Sequence, residues 1–169
     1  MKKMLAVGLL VTAVAFAQKI EIESDQAVDF TQFKSFAIRE GRLNSKNPSL
    51  NSELIRKRIN ADIQKYLGAK GLMIVTEGAA DLNVRYTLGA ARGVEREVYP
   101  AGWRGWGTRV VRVPFTEGTL VIDLRNPATR SLVWRAIARE DKSNAAQIEG
   151  KLDDMVKKAI AKYPPKPKE

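Results

Sequence analysis

The sequence contains neither cysteine nor histidine. Without cysteine there is no disulfide framework, no thiol nucleophile and no thiolate metal ligand. Without histidine the commonest general base and the commonest transition-metal ligand are both missing. Motif chemistry is sparse as well. No glycine-rich phosphate loop follows a strand, no Gly-x-Ser-x-Gly turn presents a nucleophile, and the acids Glu149, Asp153 and Asp154 lack the spacing of a calcium loop. These absences predict a chain with no catalytic residues, no metal and no cofactor, and hence a non-enzymatic role. Beyond the N-terminus, no apolar run approaches the roughly 20 residues that a membrane-spanning helix requires.

What is present fits one domain. The chain has 169 residues, 44% of them hydrophobic and 28% charged, enough to bury a core without staples and too apolar to stay unfolded. Its N-terminus has the three parts of a secretory signal. Lys2 and Lys3 are the positive head, Met4 to Phe16 is apolar, and Ala15-Phe16-Ala17 is a small-x-small cleavage site before Gln18. The expectation is a cleaved signal peptide over 1–17, a single domain over 18–163 and a mobile tail over 164–169. No cysteine follows the apolar run to be lipidated, so the predicted product is a soluble periplasmic or secreted protein, with a station at the periphery of the outer membrane left open. Net charge is +10, and losing Lys2 and Lys3 leaves 27 Lys and Arg against 19 acids, or +8. Outside the cytoplasm such a surface suits anionic lipid or lipopolysaccharide headgroups and acidic polymers, rather than nucleic acid. Plain solubility is the rival use of the same charge.

Periodicity gives the elements. Lys19 to Glu23 alternates as a strand, Asp25 to Ala27 is a turn, and Ser35 to Ile38 is a second strand. Gly41 to Ser49 is polar and predicts a loop. Asn51 or Ser52 can cap a helix in which Ile55, Ile59, Ile63 and Tyr66 recur at helical spacing and which Gly68 or Gly71 ends. Leu72 to Val75 is extended, and Asp81 to Leu88 alternates as a half-buried strand. Gly89 to Gly107 predicts a long loop, and Arg109 to Phe115 a short edge strand, because Pro114 disfavours a central one. Gly118–Arg125 and Leu132–Arg139, joined by Asn126-Pro127-Ala128-Thr129, form a hairpin. A last helix runs from about Asn144 to Lys162 and stops at Pro164-Pro165. The fold class expected is α+β: a two-layer sandwich with a mixed, mostly antiparallel sheet of about five strands and two helices on one face.

Four blocks in this order resemble the DUF4136 family, an exported bacterial envelope domain of unknown function. They are Val28-Asp29-Phe30-Thr31-Gln32-Phe33-Lys34-Ser35-Phe36-Ala37; Asp81-Leu82-Asn83-Val84; Glu117 to Leu124 followed by Leu132-Val133-Trp134-Arg135; and the closing helix with Tyr163-Pro164-Pro165. The resemblance covers nearly all of the chain after the signal. It implies a compact α/β fold in the cell envelope, where many members are lipoproteins, and brings no activity or cofactor.

The candidate binding residues are Tyr99, Trp103, Arg104, Trp106 and Arg109, in a stretch with neither helical nor strand period. Exposed Trp and Arg carry binding energy at interfaces, and Arg pairs with phosphate or carboxylate. The expected partner is another envelope protein, a glycan or an anionic lipid. The alternative is that Trp103 and Trp106 fold back over the open face of the sheet. Trp134, Phe30, Phe33 and Phe36 read as core. Asp123 reads as an outward strand residue beside Arg135 or Arg139. An envelope hydrolase would instead need Asp81, Glu117 and Asp123 in one cleft.

Overall fold

The computed structural model describes residues 19–45, 47–100, 108–142 and 145–166, with side chains described over 19–45, 47–89, 118–140 and 146–166. The signal segment, including Ala17 and Gln18, lies outside the described residues.

Period-two patterning becomes one sheet. Its strands are β1 (Lys19–Ser24), β2 (Ser35–Ser45), β3 (Met73–Ile74), β4 (Leu82–Pro100), β5 (Thr108–Arg125) and β6 (Leu132–Lys142), in the order β1-β6-β5-β4-β2-β3. β2 runs parallel to β3 and β4, and the remaining pairs are antiparallel. The α+β sandwich is as expected, with six strands where about five were predicted; the extra one is the two-residue β3 at the edge. Three helices pack against the sheet: α1 (Glu53–Gly68), α2 (Ala145–Glu149) and α3 (Leu152–Ala161). The single closing helix of the sequence reading is therefore two, parted at Gly150 and Lys151, since glycine is a poor helix interior residue.

One face of the sheet holds the core. Leu82, Val84, Tyr86 and Leu88 of β4 alternate inward, as do Leu120, Ile122 and Leu124 of β5. They meet Ile55, Ile59, Ile63 and Leu67 on one stripe of α1, and Leu152, Met155, Val156 and Ile160 on one stripe of α3. Each such side chain taken out of water contributes about 1.5–3 kcal/mol. Phe33, Phe36 and Trp134 are buried in the same cluster, and Phe30 is partly buried against it. The Ser52 hydroxyl caps α1 by accepting from the Ile55 amide at 3.2 Å, with Glu53 in the first turn, worth about 1 kcal/mol.

One departure from alternation, in β2, has a local cause. β2 continues to Ser45, through residues expected to form a loop, because the register slips between Ile38 and Glu40. A bulge of this kind swaps the inward and outward sets, so the residues after it no longer match the period before it. β2 then stops where the Asn51 side chain takes both backbone groups of Ser45: its oxygen accepts from the Ser45 amide at 3.0 Å and its nitrogen donates to the Ser45 carbonyl. At the opposite end Asp81 ties β2 to β4. Its carboxylate accepts from the Lys34 and Ser35 amides and the Ser35 hydroxyl, each at 2.9 Å. These donors, the backbone N–H of Lys34 first, hold its pKa below the usual carboxylate value.

Candidate functional site

The stretch read as a loop is mostly strand. β4 runs to Pro100 and β5 begins at Thr108, paired residue for residue from Asn83↔Arg125 to Pro100↔Thr108. Their neighbours stop earlier. The last β2 partner of β4 is Ser45↔Ala90, and the last β6 partner of β5 is Thr116↔Lys142. Beyond those points Gly93–Pro100 and Thr108–Phe115 pair only with each other among the described residues. The result is a two-stranded arm outgrowing the sheet by about 26 Å, at roughly 3.3 Å per residue. Alternation failed to announce it because apolar-in, polar-out patterning marks a strand that lays one face on a core, and the sequence of this ribbon shows no such pattern. Pro114 pairs with Val94 where the other edge of β5 has no strand beside it, as the edge rule for proline requires.

Tyr99 and Arg109, two of the candidate binding residues, are direct register partners near the end of the arm. Trp103, Arg104 and Trp106 fall in residues 101–107, outside the described residues.

The root of the arm is braced. Gly118 of β5 lies under Ile148 of α2, where an added Cβ would stand 2.7 Å from the Ile148 Cγ2. Ile148 is fully buried with Leu50, which belongs to the 3-10 turn Pro48–Asn51 that also carries the Asn51 clamp. The place where the arm leaves the sheet is thus fixed by α2 on one side and the end of β2 on the other. The sequence signal was available: a glycine opening an apolar strand marks a close approach.

The opposite face of the sheet carries charge. Register aligns Glu23, Arg135, Asp123, Arg85 and Glu40 in one row across β1, β6, β5, β4 and β2, so the sign alternates from strand to strand. Arg135 grips Asp123 with two hydrogen bonds, Nε to Oδ1 at 2.7 Å and Nη2 to Oδ2 at 2.8 Å, and reaches Glu23 at 3.9 Å. Arg85 lies 3.6 Å from Glu40, which also pairs with Arg42. The bond to Asp123 raises the Arg135 pKa further. Asp123 is thus the outward, Arg-paired residue that alternation predicts.

The three carboxylates of the hydrolase reading are not brought together. Asp123 and Glu117 stand six positions apart on β5, about 20 Å at strand rise, and Asp81 is used to join β2 to β4. Among the described residues, no group of three or more acids is placed to hold a metal ion. No helix of the described residues is long and apolar enough to cross a membrane.

A second acidic pair joins the helices. Asp62 of α1 lies close enough to Asp153 of α3 to repel it, and Asp153 accepts from the Tyr66 hydroxyl at 2.8 Å and Lys65 at 3.4 Å. Burial, then repulsion from Asp153, raises the Asp62 pKa above 3.8, and its Oδ2 is buried with no hydrogen-bond partner. The folded state therefore binds this proton more tightly than the unfolded state. Stability from this group is complete below 3.8 and is lost as pH rises through the higher folded value. Asp62→Asn removes the charge while its amide can still donate to Asp153. It is expected to melt higher than the wild type at pH 7, with the gap closing near pH 3.8. A lower melting temperature at pH 7 would contradict this account.

The fold recurs in solved structures at low identity. A PDZ domain protein from Parabacteroides distasonis aligns at 16% identity with a TM-score of 0.58, over 88% of this chain and 35% of that one. This chain therefore spans about a third of that protein. PelC from Paraburkholderia phytofirmans, crystallised as a dodecamer, aligns at 12% identity and a TM-score of 0.51, over 86% of this chain and 95% of that one. A second PelC crystal form gives 11% and 0.50, over 86% and 96%. These likenesses concern the fold. A search of curated protein sequences finds no match. A family model does match, across residues 20–165, and its description is a domain of unknown function: the chain belongs to the DUF4136 family.

Proposed function

We propose that this is a non-enzymatic domain, exported to the periplasm or beyond, that binds another cell-envelope component through its arm. The contact would lie at the outer end, on Tyr99 and Arg109 and on Trp103, Arg104 and Trp106 between them. The observation that carries this reading is the two-stranded extension of β4 and β5 beyond their neighbours. A ribbon of two strands is marginal in water by itself, and its unpaired edges are ready to pair with or be covered by a partner. Three further points support it. Residues 1–17 have the pattern of a signal peptide. Histidine, cysteine and catalytic motifs are missing. A protein with the same fold, PelC, is found as a dodecamer, so this architecture is compatible with assembly.

The test is capture from envelope extracts with tagged wild-type protein and a Trp103→Ala/Trp106→Ala variant. The expected result is a protein, glycan or lipid enriched by the wild type and lost, at least tenfold, in the variant. Equal recovery by both would refute the arm as the binding element.

A further inference from the structure

Charge is unevenly shared between the two layers of the sandwich. Residues 53–70 and 146–166, the helical layer, hold ten Lys and Arg against five acids. The other residues with described side chains hold nine of each. The surplus of five therefore lies with the helices, while the sheet and its loops are balanced. α1 and α3 run side by side in one direction: Arg58 reaches Glu149, Lys65 reaches Asp153, and Lys70 donates to the Ala161 carbonyl at 3.1 Å. Their apolar stripes are packed into the core, so the charged sides face outward.

Ion pairing inside the layer engages most of its acids but only some of its cations. Glu53 pairs with Arg56, Glu149 with Arg58, Asp153 with Lys65 and Asp154 with Lys158. Both arginines of the layer are thus taken. Lys57, Lys70, Lys151, Lys157, Lys162 and Lys166 are exposed, and none of them is ion-paired among the described residues. Lysine is a compact, hydrated point charge that meets any phosphate in reach, where arginine reads a fixed bidentate geometry. From Lys57 to Lys70 the set spans about 20 Å along α1 and the turn that closes it, at about 1.5 Å per residue. That is the breadth of a surface rather than of one small ligand. Leu54, 75% exposed, lies one turn ahead of Lys57 on the same helix. A bilayer interface shelters such a side chain among its headgroups, and a soluble acidic polymer does not.

We infer that the outer side of the helical layer rests on an anionic lipid surface, with its lysines over the phosphates. The inference goes beyond the arm reading and does not depend on it, since no residue of the arm takes part. It gives the net charge a place and a use: a lysine near an anionic bilayer strengthens binding roughly fivefold. The domain lies on the membrane rather than in it, because the apolar stripes of both helices are already buried.

The experiment uses protein recovered from the periplasm after expression of the full chain, sedimented with phosphatidylglycerol or phosphatidylcholine vesicles. Wild type is expected to sediment with the first and to stay free of the second. Binding should disappear at about 1 M salt, where charges are screened beyond about 3 Å. Lys157→Gln/Lys162→Gln is expected to weaken binding roughly 25-fold, at about fivefold per lysine. Lys34→Gln/Arg130→Gln removes the same charge from exposed positions outside the layer, and should weaken it no more than about threefold. All four side chains are exposed, so circular dichroism and melting temperature should match the wild type. Equal loss in the two variants would overturn the inference, because binding would then follow net charge and not a face. So would a wild type that ignores phosphatidylglycerol, or one that stays bound in high salt. Lysine-dependent binding to alginate without binding to vesicles would overturn it in favour of an acidic glycan. Trp103→Ala/Trp106→Ala should bind vesicles as the wild type does. Loss of vesicle binding there, with Lys157→Gln/Lys162→Gln unaffected, would move the membrane contact to the arm and overturn the helical one.

Discussion

Trp134→Ala is expected to lower the free energy of unfolding by about 3–5 kcal/mol, the usual cost of emptying a fully buried Trp site. The indole is fully buried near the start of β6, between Ser24 of β1 and Leu124 of β5 in register. It stands edge-on to Tyr163 just beyond α3, ring centres 5.7 Å apart and planes at 88°, so it joins the far end of the chain to the sheet. Tyr163 in turn meets Phe30 edge-on at 5.8 Å. A cavity here would loosen three segments that are distant in sequence and close in space. One feature works against the indole: its Nε1 is buried with no hydrogen-bond partner. A buried donor left unpaired costs about 1–3 kcal/mol. Trp134→Phe removes that donor and keeps most of the ring, so it should cost no more than about half of the alanine change. Urea unfolding followed by circular dichroism separates the two. A Trp134→Phe variant as unstable as Trp134→Ala would show that the orphaned donor is not a liability.

The position of Trp134 was legible because the strand after it alternates, Trp134, Ala136 and Ala138 on one side, Arg135 and Arg139 on the other, although Val133 beside it is buried too. The same logic placed Asp123 outward beside Arg135 or Arg139, and it is Arg135 that grips it. The hairpin of β5 and β6, the stripe of α1 and the sandwich itself were readable for the same reason: each lays one patterned face on a core. Patterning fails where that condition fails. Along the arm, Val94, Arg96 and Val98 on one parity and Glu95, Glu97 and Tyr99 on the other mix apolar and charged residues alike, so neither set stands out as a core face. β2 was cut short at Ile38 because the slip at Glu40 moves Arg42 and Asn44 outward and Gly41 and Leu43 inward, reversing the period just where a reader expects it to continue. The cross-sheet row from Glu23 to Glu40 was invisible for another reason. It exists only once five strands are in register, and register is a property of pairs that no single segment encodes.

Gly41→Ala is the second large effect, with an expected loss of about 3 kcal/mol, at the upper end of what overpacking costs. Gly41 and Tyr86 are register partners on β2 and β4, and the tyrosine ring lies across the glycine. A Cβ on residue 41 would stand 2.3 Å from the ring Cζ and the hydroxyl oxygen and 2.7 Å from Cε1. The ring cannot easily withdraw. Tyr86 is buried, its hydroxyl is 2.7 Å from the Asn60 Oδ1 and 3.3 Å from the Arg56 carbonyl, and both acceptors belong to α1. Burial pushes the phenol pKa up to about 12, so the hydroxyl remains a neutral donor throughout the working pH range. Gly41 thus makes room for a tyrosine that bonds the sheet to the helix above it, an aromatic laid over a strand glycine. Two comparisons isolate the clash. In a Tyr86→Leu background the side chain is shorter, so the added cost of Gly41→Ala should shrink to well under half, a coupling that independent sites would not show. Gly68→Ala, where nothing lies within 4 Å of the added carbon, should be neutral or stabilising by up to about 1 kcal/mol. If Gly41→Ala costs the same with Tyr86 and with Leu at position 86, the close approach of the ring is not what requires glycine in β2, and the polar run after the bulge must be explained by the strand end alone.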